Sequence, residues 1–236
     1  MKKYITIAAL AVAGSVFANA EIITTTFTTK EGVNSVVGKK INESVDLNTN
    51  NDWITGTADS LCKIDNGEDV VLKSLYDMQG GFLAPDVNVG NADGWVVTFS
   101  YNFSGKTLAV KSVTLDVGIF SSGGTWQGSN TDRDFIFAVT LDETTKTSEN
   151  VTVKGSGSSE PKENTGTICL EFDSAITVTD SFEFKLKVDK GNNNSGCFLG
   201  LKDVKFDAVV IPEPSAFGLL AGLGALALVG TRRRRK

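Results

Sequence analysis

Histidine is absent from the 236-residue chain. That removes Ser-His-Asp and Cys-His catalysis and every His-ligated zinc site. An enzyme built here would depend on carboxylates, lysine, tyrosine or a metal held by oxygen. Cations are scarce as well. The formal net charge is −5, from 23 Lys and Arg against 28 Asp and Glu, and it understates the imbalance. Lys2, Lys3 and residues 232–236 place seven of the cations at the two ends, and Glu213 is the one acid beyond residue 211. Residues 21–211 keep 16 cations against 27 acids, a net −11. So acidic a segment disfavours nucleic acid, and no such partner is expected, because that affinity comes from Lys and Arg on phosphates. Cysteine is limited to Cys62, Cys169 and Cys197, and an odd number leaves at least one thiol unpaired within the chain. A sustained helical stripe is also missing between the ends. Residues 70–78 are the best local candidate, with Val71, Leu75 and Met78 along one side, but Val70-Val71-Leu72 reads equally well as a strand.

What is present has period two. Trp95, Val97, Phe99, Tyr101 and Phe103 share one face, and Val113, Leu115, Val117 and Ile119 repeat the pattern. Phe135, Phe137, Val139 and Leu141 form a third set, and Ile168, Leu170 and Phe172 a fourth. Phe182, Phe184, Leu186 and Val188 alternate with Glu183, Lys185 and Lys187. Leu199, Leu201, Val204 and Phe206 change register near Lys202-Asp203, the signature of a bulge. Gly, Asn, Ser and Asp clusters separate these runs. Burying one face of each requires a second sheet. The expectation for residues 21–211 is an all-β fold, a single jelly-roll-like β-sandwich of roughly eight to ten strands.

The ends have a different grammar. Lys2 and Lys3 precede an apolar stretch from Ile5 to Phe17, and Ala18-Asn19-Ala20 fits the small-x-small pattern of a signal peptide. Residues 1–20 are therefore expected to be removed by signal peptidase, leaving Glu21 as the mature N-terminus. At the other end, Pro212-Glu213-Pro214 opens residues 212–236. Residues 215–231 follow as an apolar segment and Arg232, Arg233, Arg234 and Arg235 lead a basic tail, residues 232–236. A 17-residue helix spans roughly 25 Å at ~1.5 Å per residue, just short of a ~30 Å hydrocarbon core. The cations hold their end on the cytoplasmic side. Pro212 and Pro214 stop the helix from growing backward.

This order of Pro-Glu-Pro, short apolar helix and Arg run resembles the PEP-CTERM sorting signal of bacterial surface proteins, which an exosortase reads. The resemblance implies export, a transient single-pass stay in the inner membrane with the tail cytoplasmic, and delivery to the cell surface or extracellular matrix.

Within the domain, Trp126 sits in a small, polar loop with Gln127, Asn130 and Asp132. Two readings stand: a sugar-stacking platform with polar groups for hydroxyls, or a ring folded down over the sandwich edge. Trp53, after Asn50-Asn51-Asp52, is the second candidate for such a platform. Cys169 and Cys197 fall in strand-like stretches where an adjacent-strand disulfide fits, the alternative being three buried free thiols that behave as small apolar residues. Glu171-Phe172-Asp173 resembles the start of the acid-x-acid-x-x-acid strand of laminarinase-like jelly-roll glycosidases, but Ile176 stands where that family has its partner Glu. The stretch 199–206 resembles the last strand of jelly-roll carbohydrate-binding modules, which implies that Asp203 helps hold a structural calcium ion. The expected function is a non-catalytic surface or matrix component. A carbohydrate-binding module for extracellular polysaccharide is the alternative, and a carboxylate-dependent glycosidase ranks third.

Overall fold

The computed structural model describes residues 20–29, 40–41, 45–72, 75–89, 93–128, 131–155, 165–192 and 196–211. Within these residues every regular element is a strand: β1 (Ala20–Thr29), β2 (Lys40–Ile41), β3 (Val45–Thr49), β4 (Thr55–Asp65), β5 (Glu68–Val71), β6 (Leu75–Met78), β7 (Phe82–Pro85), β8 (Gly94–Phe120), β9 (Arg133–Leu141), β10 (Thr144–Thr147), β11 (Val151–Val153), β12 (Thr165–Lys190) and β13 (Phe198–Ile211). The all-β expectation holds, and residues 70–78 fall in strands β5 and β6 with no helix. Thirteen strands exceed the expected eight to ten, since six of them, β2, β5, β6, β7, β10 and β11, are short pieces of two to four residues.

The larger difference lies in continuity. The alternating sets at 95–103 and 113–119 read as two strands in sequence, yet both lie on the 27-residue β8. Those at 168–172 and 182–188 likewise share the 26-residue β12. Each long strand serves two layers. Residues 94–102 of β8 pair with β4 and with residues 181–189 of β12, whose far side pairs with β9. Residues 107–120 of β8 pair with residues 165–179 of β12 and with β13. The fold-over occurs where Gly105 takes φ 75° and Asp180 φ 64°. Gly105 N donates to Asp180 Oδ1 at 2.7 Å, tying the two corners together. The left-handed conformation suits glycine, and Asp tolerates it better than most residues. A corner of this kind bends the strand without ending it.

The pairings β8–β4–β3–β1–β13–β8 close a ring, so the folded sheet wraps one core. Phe206 of β13 fills its centre, set nearly edge-on to Tyr101, Phe182 and Phe184 with ring centroids 5.4, 5.3 and 5.1 Å away. Tyr101 O–H donates across the layers to Thr25 Oγ1 at 3.1 Å, both residues fully buried. Burial drives the Tyr101 phenol above its ordinary range, with the Thr25 hydrogen bond opposing. The bulge expected near Lys202-Asp203 is present: the ladder steps from Leu201↔Val117 to Asp203↔Asp116. A second cluster of Met78, Phe82, Ala84, Phe120, Trp126 and Phe198 forms where the β6–β7 hairpin meets β13.

Phe184 is fully buried, stacked 6.0 Å from Phe99 and edge-on to Phe206. Phe184→Ala should cost about 3–5 kcal/mol through lost transfer energy and the cavity left behind. Lys185→Ala, on the opposite face, should stay within about 0.5 kcal/mol. Urea midpoints compare the two directly, and similar values would mean that the faces are misassigned.

Candidate functional site

Two regions carry candidate functional side chains. The first is an open groove of about 620 Å³ between the end of β10 and β12, lined by Lys146, Thr147, Ser148, Glu149 and residues 169–173. Alternation along β12 builds it: Ile168, Leu170 and Phe172 turn into the core while Cys169, Glu171 and Asp173 face out. Lys146 Nζ donates to Asp173 Oδ1 at 2.7 Å. That hydrogen bond, and then the lysine's charge, hold the Asp173 carboxyl below the usual carboxylate range. Lys146 was not legible as a groove residue, since nothing in Thr-Lys-Thr announces a partner 27 residues away. Ile176, at the place of the partner acid, is half-buried and packs against the core. Glu171 and Asp173 thus share a solvated face to which position 176 adds no third carboxylate.

Trp126 is not a platform. It is 7% exposed and lies against Phe82 and Phe120, with ring centroids 5.3 and 4.5 Å away. Its place is made by missing side chains: a Cβ on Gly118 would sit 2.8 Å from the indole. The ring's main-chain neighbour Gln127 continues the loop by donating its N–H to Ile119 O at 3.1 Å. Asp132 Oδ1 accepts from Gly155 N at 3.3 Å, so it serves loop geometry, and Asn130 lies outside the described residues. Of the two readings the folded-down ring holds, because the loop folds back onto β8, through Ser121 N–Thr125 O and the Phe120–Trp126 bridge.

The expected Cys169–Cys197 disulfide does not form. Cys169 is exposed opposite Thr114 on β8, whereas Cys197 is buried in a bridge with Val89. β8 lies between β12 and β13, so the two stretches are not adjacent strands. Burial pushes the Cys197 thiol up to about 12, with Arg133 opposing, which leaves it an inert core group. Cys62 is buried as well. Asp203 faces Asp116 in register. The Asp116 carboxyl is raised by burial first and by the Asp203 charge second, against Lys202 and Lys205. Among the described residues no group of three His, Cys, Asp or Glu side chains gathers to hold a metal ion.

The second region is the end of the domain from which both termini leave. Ala20 pairs with Val209 and Glu21 with Ala208, while Ile211 pairs with Thr107. The loop carrying Trp53 is stapled to the same end. Asn50 N donates to Thr24 O at 3.1 Å, Thr24 N to Asn50 Oδ1 at 2.9 Å, and Asn50 Nδ2 to Ile22 O at 2.8 Å. Trp53 is half-buried, edge-on to Phe103 at 6.4 Å, and Lys106 Nζ lies 4.9 Å from its ring centre. Pairing with Lys106 was invisible in the sequence, where 53 residues separate the two. Ala18, Pro212, Glu213, Pro214 and Arg232 to Arg235 lie outside the described residues.

Residues 210–235 match the PEP-CTERM protein-sorting motif. The chain carries a PEP-CTERM signal. The motif starts on the last two residues of β13, at the end of the domain just described, and marks an exported protein sorted by an exosortase to the cell surface. No curated protein matches the chain. Among solved structures it is similar to the CBM36-1 domain of a multidomain xylanase from the hindgut metagenome of Trinervitermes trinervoides, at 13% identity and a TM-score of 0.32, covering 64% of this chain and 96% of that one. It is also similar to the CBM22-1 xylan-binding domain from Paenibacillus barcinonensis, at 6% identity and a TM-score of 0.28, covering 66% and 83%. An acetyl xylan esterase from the rumen bacterium Butyrivibrio proteoclasticus follows at 9% identity and a TM-score of 0.31, with 68% of this chain on 34% of that one. At these scores the likenesses assign neither ligand nor activity.

Proposed function

We propose that residues 21–211 form a non-catalytic component of the cell surface or extracellular matrix, held in the inner membrane only until an exosortase processes the PEP-CTERM tail. The observation that carries this reading is the direct junction between fold and signal. β13, which pairs with β1, β7 and β8, ends at Ile211, and Pro212 follows. A tail joined without a spacer delivers the whole β-domain as one body. Signal peptidase acts first, after Ala20. The absence of histidine and the missing partner acid at Ile176 both favour a non-catalytic role. Changing Pro212 and Glu213 to Ala should strand the protein in the inner membrane with residues 232–236 intact, by fractionation and intact mass. Wild-type protein that keeps Arg232 to Lys236 in its final envelope fraction would contradict processing.

A second reading, a module that binds extracellular polysaccharide, is favoured by the groove, whose hydroxyls, carboxylates and Lys146 match the hydrogen-bonding needs of sugar hydroxyls. Binding to a soluble polysaccharide that weakens at least tenfold in the Glu171→Gln, Asp173→Asn double variant would support it. Undiminished binding would remove the groove from the account.

A further inference from the structure

We propose that the end of the domain bearing Trp53 and Lys106 rests on the lipid headgroups of the inner membrane while the tail is in place. The inference depends on the sorting-tail reading above and adds a lipid-contact surface to it. Reach is the first argument. Four residue steps lead from Ile211 to Ser215, where the apolar segment begins. Fully extended they span about 14 Å at ~3.6 Å per residue. The headgroup layer on one side of a bilayer occupies roughly 5–7 Å of that distance. The end of the domain that holds Ile211 must therefore lie against the headgroups.

The second argument is what that end displays. Thr107 is the ladder partner of Ile211, and Lys106 precedes it. Partners in an antiparallel ladder lie about 4.5–5.5 Å apart, so the Lys106 stem begins within about 10 Å of the tail exit. Trp53 lies beneath the Lys106 ammonium group, its loop fixed to β1 through Asn50. Ile22, 53% exposed, stands on the same short stretch of β1. An amphipathic indole with an overlying lysine and an exposed aliphatic side chain is the pairing that membrane interfaces favour.

Acids are present too. Glu21 is half-buried, Asp52 is exposed beside Trp53, and Asp180 accepts from Gly105 N. The end is consequently not a basic patch, and the contact depends on the ring and the aliphatic side chain more than on charge.

The chain supplies its own probe. Of its three tryptophans, Trp95 is 1% and Trp126 7% exposed, while Trp53 is half-buried at the surface. Protein of residues 21–236, with the tail in place, would be reconstituted in vesicles of phosphatidylethanolamine and phosphatidylglycerol, some with acyl chains brominated near the headgroup. Brominated lipid should quench roughly a third of the emission, and that fraction should vanish in Trp53→Phe. Quenching that survives in Trp53→Phe would overturn the proposal, as would its absence from protein that resists alkaline carbonate extraction. Protein that carbonate extracts was never inserted, and then the sorting-tail reading has failed first. Asp52→Cys in a Cys169→Ser background, carrying an environment-sensitive dye, tests the contact without altering Trp53. Its emission should shift to the blue on reconstitution, and an unshifted spectrum would contradict the contact.

Discussion

β8 and β12 belong to both layers of the sheet, and the rest of the structure follows from that sharing. They fold over together at Gly105 and Asp180, and the hydrogen bond between these residues makes the two bends a single corner. The core-facing positions change parity across the bend, from Phe103 to Leu108, and again between Val110 and Val113, and with those shifts Trp95 to Phe103 and Leu108 to Ile119 join one core. The ring of pairings through β4, β3, β1 and β13 then closes around Phe206. The Tyr101–Thr25 hydrogen bond gives that closure a definite register, since a one-residue slip would leave two buried hydroxyls without each other.

Much of this was legible in the sequence, and the failures share one cause. Alternation reports which face a residue takes, and Phe135, Phe137, Phe182, Phe184 and Phe206 all lie where it places them. The bulge at Lys202-Asp203 was legible because a register change leaves its mark on the alternation itself. Continuity is different. Gly105 looks the same whether a strand ends or folds over, and only the partner Asp180, 75 residues away, decides which. Trp126 was left between two readings for the same reason: its polar neighbours describe the loop, whereas its packing partner Phe82 and the space left by Gly80 lie on a distant part of the chain. Cys169 falls on β12 as expected and Cys197 lies one residue before β13, in a bridge with Val89, but strand order, which sequence does not carry, puts β8 between β12 and β13.

The same closure makes the targeting logic compact. An antiparallel β1–β13 pair forces the beginning of one strand beside the end of the other, so Ala20 and Val209 meet. The start of β1 and the sorting motif, far apart in the sequence, thus meet at one place. The other charged features lie elsewhere. The groove with Lys146 and Asp173 belongs to β10 and β12, and the Asp116–Asp203 pair sits along the β8–β13 ladder.

If the layers share their two longest strands, they cannot part from one another before the sheet unfolds. Trp95 in the main core and Trp126 in the cluster under β6 and β7 report on separate parts of the molecule, while far-UV circular dichroism reports the whole sheet. Urea unfolding of the mature protein followed by tryptophan emission and by circular dichroism tests this directly. The account predicts two curves that superimpose, with one midpoint and one slope. An emission change completed at lower urea than the loss of β signal would show that the two clusters unfold separately, and would contradict it.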